Sequence, residues 1–188
     1  MRLTHKLSTP IASALGRMVA AHSLLEFQLA HSLYKLAGVS QTIGRVAIPA
    51  PRGSEIVERM QQLFDARCFD SQSFPWSKFR KLLDALKSSR DKFTHGAWLY
   101  NKNVRRYILV VTSGNRQKKP FDKESTSRRV RPEGIAVTVS ELRSLKAEIE
   151  KAIAQAIFLD LLIDSRLQNS QSTWPNKWLR QYLRDHPN

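Results

Sequence analysis

Residues 9–38, TPIASALGRMVAAHSLLEFQLAHSLYKLAG, decide the fold class. Ile11, Leu15, Met18, His22, Leu25, Leu29, Leu33 and Leu36 recur in steps of three and four, the period of one helix face. Thr9 is a candidate cap, Pro10 suits a first helical position, and Gly38 is a stop signal. So long a helix, apolar along one side, must bury that side against other elements.

Outward from this stretch, VSQTIGRVAIPAPRG (39–53) carries two glycines and two prolines and reads as an irregular connector. Ser54 opens a second helix to about Cys68, with Ile56, Met60, Leu63 and Phe64 inward. A third runs from about Pro75 to the mid-nineties, with Trp76, Phe79, Leu82, Leu83, Leu86 and Phe93 on its apolar side. The pattern then changes. Residues 106–112 and 134–139 are β-branched apolar runs and read as two strands. Thr138 with Glu141 forms a capping box, and Val137 with Leu142 a hydrophobic staple. They start a helix to about Leu167, with Leu142, Leu145, Ile149, Ile153, Ala156, Ile157 and Leu161 facing inward. The expected architecture is mainly α: one antiparallel helical bundle over residues 1–168, with a two-stranded β-ribbon insertion (102–138) before the last long helix. A tail at 169–188 carries a short helix with Trp178, Leu179 and Tyr182.

The chain of 188 residues has an ordinary apolar fraction, 41%, so fibrous and wholly disordered classes are excluded. Its one cysteine, Cys68, excludes a disulfide framework and a cysteine-built zinc site; it reads as a small buried hydrophobe. Such usage suits a reducing, cytoplasmic setting. No targeting segment is visible. The most apolar stretch, 152–163, is too short to span a bilayer and carries Asp160, so a soluble protein without membrane attachment is expected.

The formal net charge is +15. Residues 73–132 hold 16 basic and 4 acidic side chains, so the field is concentrated there. A polyanion is the partner such a field favours, nucleic acid first. Candidate phosphate contacts are Lys87, Lys92, Arg105, Arg106, Lys118, Lys119, Arg128, Arg129 and Arg131. A basic solubility face is the alternative.

The chemistry-bearing cluster is SSRDKFTHGAWLY (88–100). Asp91 and His95 are four apart and share a helix face. Arg90 and His95 are five apart, about 140° round the helix, so periodicity permits an Arg–Asp–His cluster without requiring one. The segment Arg90-Asp91-Lys92-Phe93-Thr94-His95 resembles the R-x4-6-H motif of the HEPN superfamily, in which a polar residue follows the arginine. The placement, late in an inner helix of a helical bundle, is similar too, and the likeness covers residues 9–100 and 139–166. The resemblance implies a metal-independent endoribonuclease of toxin or antiviral-defence type, needing no cofactor and acting as a homodimer on RNA. It implies catalytic roles for Arg90, Asp91 and His95. His95 would assist proton transfer as the ribose 2′-OH attacks its own phosphate, Arg90 would stabilise the phosphorane, and Asp91 would orient them. An antitoxin or defence-system protein is the implied further partner. A subset of the family carries a modifiable tyrosine two residues after the histidine. Ala97 stands there, which argues against a nucleotidyltransferase partner of that kind.

Structural roles compete with these. Arg90 can ion-pair with Asp91 or a neighbour, and His95 can close a helix C-terminus. His22 lies in the apolar register and reads as a core histidine. Glu26 can pair with His22 or with a base across the bundle, and Trp98 can pack over the helix end or stack on a nucleobase. A non-catalytic HEPN-like module binding RNA or protein is the alternative function. A DNA-binding regulator ranks below it, since no helix-turn-helix with a basic recognition helix is evident.

Overall fold

A computed structural model describes residues 2–3, 7–48, 53–101, 106–110 and 134–169. The elements are β1 (Arg2–Leu3), α1 (Thr9–Ala37), α2 (Gln41–Ala47), α3 (Ser54–Ala66), a single 3₁₀ turn (Ser71–Ser73), α4 (Trp76–His95), β2 (Ala97–Asn101), β3 (Arg106–Val110), β4 (Gly134–Val137) and α5 (Val139–Asn169). The protein is mainly helical, with a small antiparallel sheet inserted before the last long helix, as the periodicity indicated. Arg105, Lys118, Lys119, Arg128, Arg129 and Arg131 lie outside the described residues, as do most of the basic loop and the tail helix.

α1 spans the expected residues. Ser8, not Thr9, occupies its N-cap, and Gly38 closes it in the left-handed conformation (φ 71°) that a side chain disfavours. Its apolar stripe is buried from Ile11 to Leu36, His22 included, with Leu15 partly so. α3 contributes Ile56, Val57, Met60, Leu63 and Phe64, and α4 contributes Trp76, Phe79, Leu83 and Leu86. Aromatic edges meet at one end of this core: Phe74 lies 4.9 Å from Trp76 and 5.4 Å from Phe79, and Phe64 lies 5.1 Å from Trp76. Such edge-to-face pairs add about 0.5–1.5 kcal/mol each beyond area burial.

The helix directions are only partly antiparallel. Phe64 near the end of α3 meets Trp76 at the start of α4, while Gly53 before α3 lies beside Lys87, so these two run oppositely. α1 and α5 instead run the same way. Ile11 shares a cluster with Leu142, and further along both helices Ser32 and Lys35 reach Asp160. The reason is topological. α4 ends at the sheet, the sheet lies at the end of the bundle where α1 begins, and α5 must therefore start there too. Lys35 ties the far ends together, at 2.8 Å from Asp160 and 2.9 Å from Asp164, with Ser32 donating to Asp160 at 2.8 Å.

The sheet is larger than a two-stranded ribbon. Its order is β1-β2-β3-β4, with all neighbours antiparallel. β2 was hidden because Trp98, Leu99 and Tyr100 directly follow a helical pattern. Gly96 makes the transition: a Cβ there would sit 2.5 Å from Leu109 Cδ1 and 2.6 Å from the Lys92 carbonyl oxygen, so only glycine lets the sheet close on the helix end. Leu109, Val137, Leu142, Ile11 and Ala14 form a second apolar cluster beneath the sheet. The backbone N–H of Ser8 donates to the Tyr107 hydroxyl at 2.8 Å, fixing the start of α1 to β3.

The capping box at Thr138 forms reciprocally: the Thr138 N–H donates to Glu141 Oε2 at 2.7 Å and the Glu141 N–H donates to Thr138 Oγ1 at 3.2 Å. Three further expectations fail. The connector after α1 contains helix α2, capped by the Ser40 hydroxyl accepting from the Ile43 N–H, with Gly44 packed against the Tyr34 ring where no side chain would fit. Cys68 is exposed, because it takes the left-handed position (φ 54°) just past α3 rather than a helical one. Ile157 and Leu161 are 46% and 61% exposed, and Ala152, Leu159 and Ile163 take the buried positions, because α5 packs on α1 and α4 along a stripe rotated from the expected one.

Candidate functional site

α4 brings Lys87, Asp91 and His95 onto one face by its i, i+4, i+8 spacing. An open cavity of about 500 Å³ lies over this face, lined among the described residues by Asp84, Lys87, Ser88, Asp91, Lys92, His95 and Gly96. His95 is exposed and makes no side-chain hydrogen bond or ion pair with any described residue. It is the last residue of α4, and with Lys92 it puts basic groups at the helix end, where the partial negative charge of the last carbonyls favours them. Trp98 covers the same end: its indole N–H donates to the Phe93 carbonyl at 3.1 Å and its ring stacks over Phe93 at 6.5 Å. The packing role weighed for Trp98 is thus the one observed.

Arg90 lies on a different face, as its angular offset from His95 required. Its side chain is 23% exposed and its guanidinium turns toward α1, with Nη1 3.0 Å from Asp91 Oδ1 and Nη2 3.5 Å from Glu26 Oε1. Glu26 Oε1 also stands 3.7 Å from Nδ1 of the buried His22. The result is a polar chain, His22–Glu26–Arg90–Asp91, running from the α1–α4 seam to the cavity. Asp91 belongs to both parts: it lines the cavity and holds Arg90. The Thr94 hydroxyl donates to the Arg90 carbonyl at 2.9 Å. The sequence offered Glu26 two partners, His22 and a base across the bundle, and it meets both; that the base is Arg90 follows only from packing.

Of the remaining sequence candidates, Lys87 and Lys92 line the cavity. Arg106 begins β3, opposite Asn101 of β2. Among the described residues no three His, Cys, Asp or Glu side chains gather so as to hold a metal ion, and no helix is long and apolar enough to cross a membrane.

Comparison with protein-family models, curated proteins and solved structures returns no match for this chain.

A histidine exposed to a cavity, two lysines beside it and an arginine oriented by carboxylates suit binding and proton transfer at a phosphate ester. Imidazole exchanges a proton near neutral pH, and guanidinium and ammonium groups pair with phosphoryl oxygens.

Proposed function

We propose that the protein is a HEPN-like, metal-independent endoribonuclease whose reaction centre is the α4 face at His95. The observation that carries this is the meeting of His95, Lys87 and Lys92 over one open cavity, with Arg90 held at its margin by Asp91. His95 takes the proton from a ribose 2′-OH, whose oxygen attacks the adjacent phosphorus. The P–O5′ bond breaks, the leaving 5′-oxygen takes a proton from water, His95 returns its own proton to the solvent, and a 2′,3′-cyclic phosphate remains. Lys87, Lys92 and Arg90 balance the charge that accumulates on the phosphorane. Arg90 reaches the phosphate by exchanging a carboxylate oxygen for a phosphoryl oxygen. In a homodimer two such faces would border one RNA path, and the basic residues 102–131 would grip further phosphates without reading sequence. An antitoxin or defence-system protein would regulate this activity in the cytoplasm.

The second reading is a non-catalytic RNA- or protein-binding module of the same kind. The engagement of Arg90, itself outside the cavity lining, by both Glu26 and Asp91 favours it.

Purified protein incubated with RNA in excess EDTA separates the two. The first reading expects cleavage that leaves 2′,3′-cyclic phosphate ends, is abolished in His95→Ala and Arg90→Ala, and spares DNA, which lacks the nucleophile. Cleavage that requires added Mg²⁺ or Mn²⁺ refutes the mechanism. Binding without cleavage under every condition favours the module.

A further inference from the structure

A positively charged groove lies away from the His95 cavity. It holds about 320 Å³ and is lined by Pro10, Ser13, Ala14 and Arg17 of α1 and by Arg143 and Lys146 of α5. We infer that this groove is an accessory phosphate site, gripping the backbone of the RNA whose cleavage is proposed at His95, and in that respect it rests on the proposed function.

The argument is electrostatic. Because α1 and α5 run the same way, both long helices begin here, and each turns the positive end of its dipole toward this end of the bundle. A first turn ordinarily takes Asp or Glu. α1 has neither, and α5 has only Glu141, which is used in its capping box. Cations stand further along both helices instead: Arg143 and Lys146 in the second turn of α5 and Arg17 in the third turn of α1. Lys146 is paired with Glu150. Among the described residues Arg17 donates only to the uncharged Ser13 hydroxyl, at 3.2 Å. Arg143 is exposed and forms no ion pair with any described residue. Two arginines from two helices, neither paired with a described carboxylate, thus face one groove at the positive ends of both. That arrangement repels itself in the free protein and is relieved by an anion. Guanidinium groups bind phosphoryl oxygens in a bidentate manner, and the phosphodiester is the anion that the RNA proposed at His95 would bring.

The groove also lies at the right end of the molecule. Ala14 of its lining belongs, with Ile11, to the apolar cluster that Phe93 of α4 packs against, so the groove and His95 flank the same end of the bundle. A single strand crossing the His95 face can therefore continue to the α1–α5 seam.

The test uses the full chain carrying His95→Ala, so that labelled single-stranded RNA stays intact, and measures binding by fluorescence anisotropy over a range of salt. Two groove variants are compared with this parent, Arg17→Ala/Arg143→Ala and Arg143→Glu, each checked for helicity by circular dichroism. The expected result is affinity roughly tenfold or more lower at low salt, with the log–log salt slope shallower by about 0.7 for each phosphate that is no longer gripped. Arg143→Glu should in addition raise the melting temperature, since it relieves the repulsion inferred here. An unchanged affinity and salt slope in both variants overturns the inference, even where the unmodified protein cleaves RNA. Conversely, weakened binding in the groove variants with no cleavage by the unmodified protein upholds the groove and removes the nuclease reading. Sodium tripolyphosphate is the second probe. It should raise the melting temperature of the parent more than that of the double alanine variant, and equal stabilisation counts against the site.

Discussion

Replacing His22 and His95 by alanine, one at a time, tests whether site and scaffold are assigned correctly. His22 is only 5% exposed, in the α1–α4 seam, and its Nδ1 faces Glu26 at 3.7 Å. Alanine there deletes a buried ring and leaves a void between two helices. Large-to-small changes in cores cost about 2–5 kcal/mol for aliphatic residues, and the polar imidazole belongs near the lower bound, about 2 kcal/mol. A chain of this length loses roughly 2–4 °C of melting temperature per kcal/mol, so His22→Ala should melt about 4–8 °C lower. Glu26 keeps Arg90 as a partner, so no carboxylate is stranded. His95 is exposed and bonded to no described residue, so its truncation should cost under about 0.5 kcal/mol and shift melting by about 2 °C at most. Differential scanning calorimetry gives the stability of each variant, and a fluorogenic RNA substrate in EDTA gives the activity. His95→Ala should be stable and inactive. His22→Ala should be less stable and, below its melting range, active. If His95→Ala melts as early as His22→Ala, or His22→Ala is inactive at full stability, the two histidines have been given each other's roles.

Lys35 is half-buried between Asp160 and Asp164. Burial pulls its pKa down, but hydrogen bonds and charge attraction from the two carboxylates outweigh this and hold it above the ordinary lysine value. A group raised in the folded state stabilises fully below its unfolded pKa and loses that contribution as pH rises through the folded one. The denaturation midpoint should therefore fall above about pH 10.4, and less so in Lys35→Met, which should itself be less stable by about 2 kcal/mol at pH 7 because it leaves two carboxylates facing each other one turn apart. Gly96→Ala should destabilise by about 1–3 kcal/mol in urea unfolding, since its methyl group meets Leu109 and the Lys92 carbonyl, and a neutral result would show that β3 can shift away. Glu26→Gln and Asp91→Asn share Arg90 as their partner, so the double variant should lose about 0.5–1 kcal/mol more than the two singles combined; strict additivity would mean that Arg90 is not their common link.

The sequence alone determined the four main helices and, to within two residues, where they stop. Their periods, the Gly38 cap and the Thr138–Glu141 box are local signals, carried by residues within one or two turns of each other. Neighbouring positions also placed Asp91 and His95 on one face of α4. What needed the tertiary structure was everything set by residues far apart in the chain. β2 exists because β3 and β1 pair with it. α2 forms because Gly44 can lie against Tyr34. Ile157 and Leu161 face outward because α5 turns the Ala152, Ala156, Leu159 and Ile163 stripe to its neighbours, and periodicity fixes the angles between side chains around a helix axis but not where the neighbours lie. The same reason governs the site. Nothing in Arg90-x4-His95 says where a long arginine side chain points; Glu26, some sixty residues earlier, turns it toward α1. Likewise Arg17 and Arg143 share a groove only because the sheet returns the chain to the end of the bundle where α1 begins.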